Sequence, residues 1–254
     1  MQIDLNCDMG EGFGPYSMGD DEGLLRIVSS ANIACGFHAG DPLIMTRTVA
    51  LAAKNGVDIG AHPGFHDLRH FGRRQLPLEP SELRSELLYQ LGALSAITRD
   101  AGHKLTHLSF HGALGNRLFR DEELADILVK TVHRFDSELI FPVVPNGAVA
   151  RAAMRYGMRT HNKFFSDRAY CDDGMLVPRG NPGATIKDPE EAARRVTQLL
   201  DSGTVTTITG NSIRINASVI MVHGDGPNAV EIAQKLRVLI ENGGGVITPL
   251  SAMR

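Results

Sequence analysis

Short apolar runs alternate with amphipathic stretches along the chain, a rhythm that predicts repeated βα units. Candidate strands fall at Gln2–Asn6, Ala31–Cys35, Val57–Ala61, Leu105–Phe110, Leu139–Val144, His161–Ser166 and Val219–His223. Val219–Val222 is apolar without alternation, as expected of a strand covered on both faces. Between strands, Glu82–Ala101 sets Leu83, Leu87, Leu91, Leu94 and Ile97 on one helical face. Leu124, Leu128, Thr131 and Phe135 repeat the pattern, as do Val230, Ala233, Leu236 and Ile240. Asp41-Pro42 and Asp188-Pro189 each place an N-cap before a proline at the first helical position. Gly56, Gly102, Gly157, Gly203 and Gly243 stand where helices should stop. Thr204–Asn216 reads as a hairpin turned at Gly210-Asn211, and Val246–Thr248 as a short eighth strand. The expectation is one domain over residues 1–254, an irregular (β/α) barrel with seven or eight parallel strands and a hairpin insertion around 204–216. The pattern alone does not settle closure of the sheet.

A chain of 254 residues is comfortable for one such barrel and short for two full domains. Its 26 basic and 29 acidic residues give a formal net charge of -3, which argues against binding nucleic acid by phosphate neutralisation. No stretch approaches the roughly 20 apolar residues of a membrane helix, and the start of the chain alternates like a strand instead of carrying a leader pattern. Three widely spaced cysteines, Cys7, Cys35 and Cys171, make neither a disulfide framework nor a paired-thiol metal site. A cytoplasmic location is the simplest expectation.

Polar residues collect where the strands end. The first strand runs into Asn6, Asp8 and Glu11, the second into His38 and Asp41, the third into His62, and the fourth into His111 and Asn116. The sixth runs into Asp167 and Arg168 and the seventh into His223 and Asp225. In a barrel these positions share the C-terminal rim, where active sites are built. One histidine in a turn is ordinarily structural; histidines and carboxylates at four strand ends each are not explained that way as a set. Such a rim suits hydrolysis by general acid and base with an arginine holding an anion, and it equally suits a divalent metal held by Asp and His. The residues do not choose between them. His66 and His70 follow His62 at spacings of four, but Pro63 and Gly64 make this a loop, so both are expected to be solvated. Gly224, Gly226 and Ala229 match a dinucleotide fingerprint in form, but no acidic residue closes a following strand, and the chain has no P-loop.

These motifs resemble the LamB/YcsF family, the A subunits of 5-oxoprolinase. The resembling stretches are Asp4-Leu-Asn-Cys-Asp-Met-Gly-Glu-Gly, Ser29-Ser-Ala-Asn-Ile-Ala-Cys-Gly-Phe-His-Ala-Gly-Asp, Gly60-Ala-His-Pro, Phe71-Gly-Arg-Arg, His111-Gly-Ala-Leu, Asp167-Arg, Asp173-Gly-Met-Leu-Val-Pro-Arg and Val222-His-Gly-Asp. The resemblance implies a barrel related to glycoside hydrolases and deacetylases. It further implies ATP-dependent opening of the lactam 5-oxoproline to glutamate together with partner subunits B and C. A barrel without a P-loop fits that division of labour.

The expected site comprises Asp8, Glu11, His38, His62, His111 and Asp167 as catalytic groups, with Asn6, Asp41, Lys163, Arg168, His223 and Asp225 binding substrate. Asp8 or Glu11 would be the base or a metal ligand, His111 the acid and Arg168 the clamp on the substrate carboxylate. The chain departs from the family pattern at Ser109, where the family has Lys, at Gly115, where it has Tyr, and at Lys163, where it has Glu. One reading makes Lys163 the cation that Ser109 cannot supply, with its ammonium in the barrel mouth and a rim carboxylate in hydrogen-bonding reach. Another is a changed substrate, and a third is neutral drift of the two rim positions. Two further functional readings stand beside the first: a metal-dependent deacetylase or amidase acting without ATP, and a non-catalytic barrel subunit.

Overall fold

The computed structural model describes residues 1–253. Seven parallel strands form a ring. In chain order they are β1 (Gln2–Met9), β2 (Ser30–Ala34), β3 (Asp58–His62), β4 (His107–Leu108), β5 (Phe141–Val143), β6 (Thr160–Phe165) and β9 (Val219–Val222). Hydrogen-bonded neighbours run β4-β3-β2-β1-β9-β6-β5. A parallel bridge between His107 and Ile140 brings β4 against the start of β5, so the ring is nearly closed. All seven expected strands are present; the fourth is shorter than Leu105–Phe110. The short strand β10 (Val246–Ile247) exists but pairs with the outer end of β1, off the ring, at Gln2 and Ile3.

Alternation within the strands sorts the residues. In β1, Ile3, Leu5, Cys7 and Met9 join the apolar core, while Asp4, Asn6 and Asp8 are buried among polar groups inside the ring. The Asp4 carboxylate accepts from the Ser29 and Ser30 hydroxyls at 2.7 and 2.6 Å. Asn6 donates to Asp4 and accepts from Asn32, whose amide also donates to Asp8 at 2.9 Å. His107 Nε2 reaches Asn32 Oδ1 at 3.0 Å. The barrel interior is thus a hydrogen-bonded polar column that ends at Asp8 on the rim. Each buried polar group in it has a partner, which is what lets such a core be stable.

The helices cover the outside. α2 (Pro42–Lys54) and α7 (Pro189–Ser202) start at the expected N-caps, Asp41 and Asp188, and α3 (Pro80–Asp100), α5 (Glu122–Phe135) and α8 (Ala229–Asn242) bury the expected apolar faces. Two further helices carry little sequence signal: α4 (Gly112–Arg120), entered directly from His111, and α6 (Ala148–Arg155); α1 (Asp21–Leu25) is a short turn. The inserted hairpin is β7 (Thr204–Thr206) against β8 (Ser212–Arg214). Its tip supports the site indirectly: Asp172 accepts from Thr207, Thr209 and Asn211, which anchors the loop running on to Arg179.

Candidate active site

At the C-terminal rim, β3 delivers His62 and the loop after β4 delivers His111. The ring of His62 is fixed by its Nδ1–H, which donates to the Ser109 carbonyl at 2.6 Å. His111 is fixed likewise, its Nε2–H donating to the Phe71 carbonyl at 2.8 Å. Carbonyl oxygens only accept, so in the neutral rings the remaining nitrogens, His62 Nε2 and His111 Nδ1, carry lone pairs; they face each other at 3.0 Å. His38 stacks flat on His111 with ring centroids 3.7 Å apart, and its Nε2 lies 3.3 Å from Glu11 Oε1. Glu11 Oε1 is 3.7 Å from His111 Nδ1, and Asp8 Oδ1 is 3.4 Å from His62 Nε2. One donor atom from each of Glu11, His38, His62 and His111 falls within 4.8 Å of all the others, and all four residues are buried.

Two glycines make this convergence possible. Gly72 has φ +60°, and a Cβ there would sit 2.7 Å from His38 Cβ and 2.8 Å from His111 Cδ2. At Gly224 a Cβ would sit 2.4 Å from the Asp8 carbonyl. Gly224, two residues after β9, therefore serves close packing against β1.

The electrostatics divide the carboxylates. Burial pushes the Asp8 carboxyl up, but His62 beside it, with His223 and the Asn32 amide, more than offsets this and holds it well below the usual range. Glu11 goes the other way, raised by burial and then by the charges of Asp8 and Asp225. Burial, reinforced by neighbouring imidazoles, drives His38 and His111 well below the ordinary histidine value. A buried cluster of neutral imidazoles beside a carboxylate dyad is the environment in which proton affinities are pushed apart.

Above this cluster opens a cavity of about 440 Å³, within the size range of small-molecule sites. Asp8, His62, His111, Ser109, Lys163 and His223 line its polar side. His38, Asp167 and Asp225 stand one contact behind. Asp167 accepts from the His223 backbone N–H at 3.0 Å and lies 2.9 Å from its Nδ1, and Asp225 pairs with Arg73 across the mouth. Lys163 points into the cavity as expected, but its hydrogen bond goes to the Ser109 hydroxyl at 2.9 Å; Asp8 acts on it only through its charge, and no carboxylate among the described residues is hydrogen-bonded to it.

Three expected site residues serve other ends. Asp41 caps α2, accepting from Leu43, Ile44 and the Gly14 amide, and has no part in the cavity lining. Asn6 sits in the polar column beneath the rim, because the strand continues to Met9 and only Asp8 reaches the top. Arg168 touches the cavity, but its guanidinium is taken up by the Val177 and Ala184 carbonyls at 2.5 and 3.1 Å, which makes it a brace for the 172–184 loop. His66 stacks on Phe37 and His70 bonds Asp67, both outside the cluster. Conversely, Arg73 and Arg179 line the cavity and are absent from the expected site. Both lie inside the stretches Phe71-Gly-Arg-Arg and Asp173-Gly-Met-Leu-Val-Pro-Arg, so the signal was present. Arg179 has no hydrogen bond or ion pair among the described residues.

Comparison with known proteins agrees in one direction. The model of the LamB/YcsF family matches residues 3–254. A relative from Pseudomonas syringae pv. tomato, named as an A subunit of 5-oxoprolinase, is 53% identical over 253 residues, covering 100% of this chain and 99% of its own. Its counterpart of the same name from Pyrococcus abyssi is 47% identical over 250 residues, with 98% of each chain covered. Among solved structures, the lactam utilization protein from Thermus thermophilus superposes with a TM-score of 0.92 at 41% identity, covering 98% of this chain and 100% of that one. The catalytic domain of a peptidoglycan N-acetylglucosamine deacetylase from Eubacterium rectale shares the fold at 13% identity and a TM-score of 0.53, covering 99% of this chain and 89% of that one. With the family model matched over nearly its full length, the chain belongs to the LamB/YcsF family.

Proposed function

We propose that this chain is the A component of an ATP-dependent 5-oxoprolinase, opening the lactam of 5-oxo-L-proline to L-glutamate with partner subunits B and C in the cytoplasm. The carrying observation is the convergence of Glu11, His38, His62 and His111 beside Asp8, with Asp8, His62 and His111 of this cluster lining one rim cavity. The names borne by close relatives, which speak of 5-oxoprolinase and of lactam utilization, support the substrate. Among the described residues no helix is long and apolar enough to cross a membrane.

A divalent cation fits the cluster. Two imidazoles are locked by backbone carbonyls with their free nitrogens converging, as metal-ligating histidines are. His38 Nδ1 is buried without a partner, while its Nε2 points at Glu11. Glu11, His38, His62 and His111 would hold the ion, which would polarise the amide carbonyl as a Lewis acid. The chain's own residues do the remainder. Asp8, ionised and aimed at the cluster, takes the proton from the attacking water. Arg179 receives the substrate carboxylate and Arg73, steadied by Asp225, closes the mouth. His223, oriented by Asp167 and lining the cavity, protonates the leaving nitrogen in this reading.

A lactam is a poor electrophile, and phosphorylation of its oxygen would create both a leaving group and an anion for these cations to hold. The chain has no P-loop, so nucleotide chemistry falls to the partners. The four-residue cluster favours a second reading, a metal-dependent amidase working without ATP. Glutamate release from 5-oxoproline, measured with and without ATP and with and without the partners, separates them. Release only with both supports the first reading, release by the chain alone supports the second, and no release under any condition removes the substrate assignment.

A further inference from the structure

Ser109 and Lys163 form a pair that the lactam chemistry above does not use. Ser109 directly follows β4 and Lys163 lies in β6, two strands separated by β5, yet their side chains meet inside the ring with Nζ 2.9 Å from Oγ. Both residues are buried and both line the cavity. Each is the other's only side-chain hydrogen-bond partner among the described residues. Ser109 is positioned from its backbone as well: its N–H donates to the Ala61 carbonyl at 3.0 Å and its own carbonyl accepts from His62. The Lys163 ammonium has the Phe165 ring at 5.2 Å and, among the described residues, no hydrogen-bonded carboxylate. A second, smaller cavity of about 50 Å³ adjoins this point, walled by Leu108, Phe110, Phe119, Phe141 and Val144 with Lys163 at its edge.

We infer that Ser109 and Lys163 constitute a serine–lysine acyl-transfer centre, with Ser109 as nucleophile, Lys163 as its base, and small esters or amides of apolar acids as substrates, the acyl group lying in the adjoining apolar cleft. In the forward step the neutral Lys163 amine takes the Ser109 proton as Oγ bonds to the acyl carbon. The resulting oxyanion collapses, the bond to the leaving oxygen or nitrogen breaks, and the Lys163 ammonium returns its proton to that atom. Water then attacks the ester, Lys163 takes its proton, and the acyl–Oγ bond breaks with Oγ reprotonated, so one water is consumed per turnover. The lysine environment is consistent with this: burial pulls the ammonium down to about 8, against the opposing pull of Asp8. The groups facing Lys163 are Asp8 from β1, His107 from β4, Ser109 just after it, and Phe165 from β6. The step needs neither ATP nor a cation, so it stands apart from the 5-oxoprolinase reading.

The test uses the purified full chain, a fluorophosphonate probe and p-nitrophenyl butyrate, with and without a chelator. We expect a covalent adduct mapped to Ser109, undiminished by the chelator. Ser109→Ala should abolish it, and Lys163→Met and Lys163→Arg should each slow labelling by about 100-fold or more, with melting curves confirming that each variant is folded. The Arg variant keeps the charge and removes the base, so its loss of labelling separates catalysis from charge. An adduct elsewhere, no adduct with either reagent, labelling lost with the chelator, or wild-type rates in a folded Lys163 variant would overturn the inference. Glutamate release in the assay reconstituted with the partners is scored separately, so either reading can fail alone.

Discussion

His62 Nε2 and His111 Nδ1 face each other 3.0 Å apart while the opposite nitrogen of each ring donates to a backbone carbonyl. Two lone pairs at that distance repel unless a proton or a cation lies between them. Burial disfavours the proton on His111, and Glu11 and His38 aim at the same point. The chain should therefore bind about one equivalent of a divalent transition metal. Titration calorimetry with metal-stripped protein is expected to show binding that weakens by about 100-fold or more in His62→Ala and His111→Ala. Equal affinity in these variants would place the ion elsewhere.

Gly72 is the clearance on which the stacked pair depends. Gly72→Ala combines an unfavourable positive φ with a Cβ pressed against His38 and His111. The expected outcome is a stability loss on the order of 1–3 kcal/mol together with weakened metal binding. Gly56→Ala, also at positive φ but with nothing within 4 Å of the new Cβ, should lose stability alone. Measuring both variants by denaturation and metal titration separates backbone strain from the clash.

The polar column makes stability depend on pH with opposing signs. His107 is pulled from 6.5 to about 3 by burial, so its neutral form is what the fold accepts. Its contribution is complete above pH 6.5 and is lost as pH falls toward 3, by an amount on the order of a few kcal/mol. Asp4 is raised from 3.8 to about 7 by burial, against hydrogen bonds from Ser30, Ser29 and Asn6. The folded state then holds a proton that the unfolded state has released, and stability declines as pH rises from about 4 to 7. Urea unfolding across this range should show His107→Gln flattening the acid limb and Asp4→Asn flattening the neutral one.

Much of this was legible in the sequence. All seven ring strands announce themselves because their outward residues are apolar and their ends polar, and Asp41-Pro42 and Asp188-Pro189 mark real helix starts. What pattern could not separate was strand end from strand interior: β1 runs three residues past Asn6, which drops that side chain below the rim and leaves Asp8 on it. Nor could it show that Asp41 uses its oxygens on α2, or that Arg168 is taken by two carbonyls, since those partners are backbone. His107 was hidden because a polar residue inside an apolar strand is meaningful only once Asn32 is found opposite it.

Arg73 and Asp225 join the loop after β3 to the loop after β9 across the cavity mouth. Asp225→Asn should loosen this closure, raising KM for the lactam several-fold with little change in kcat. A fall in kcat with KM unchanged would instead put Asp225 in the chemical step.

Lactam opening at the Asp8 cluster of this chain is the central claim. The most direct measurement is the rate of glutamate formation from 5-oxo-L-proline, with ATP and the B and C partners, by wild-type chain and by Asp8→Asn. Asn preserves the shape and the Asn32 contact region while removing the base. The expected result is a loss of kcat of about 100- to 10,000-fold with the fold and the association with both partners intact. A folded Asp8→Asn variant that still binds its partners and turns over at the wild-type rate would contradict it.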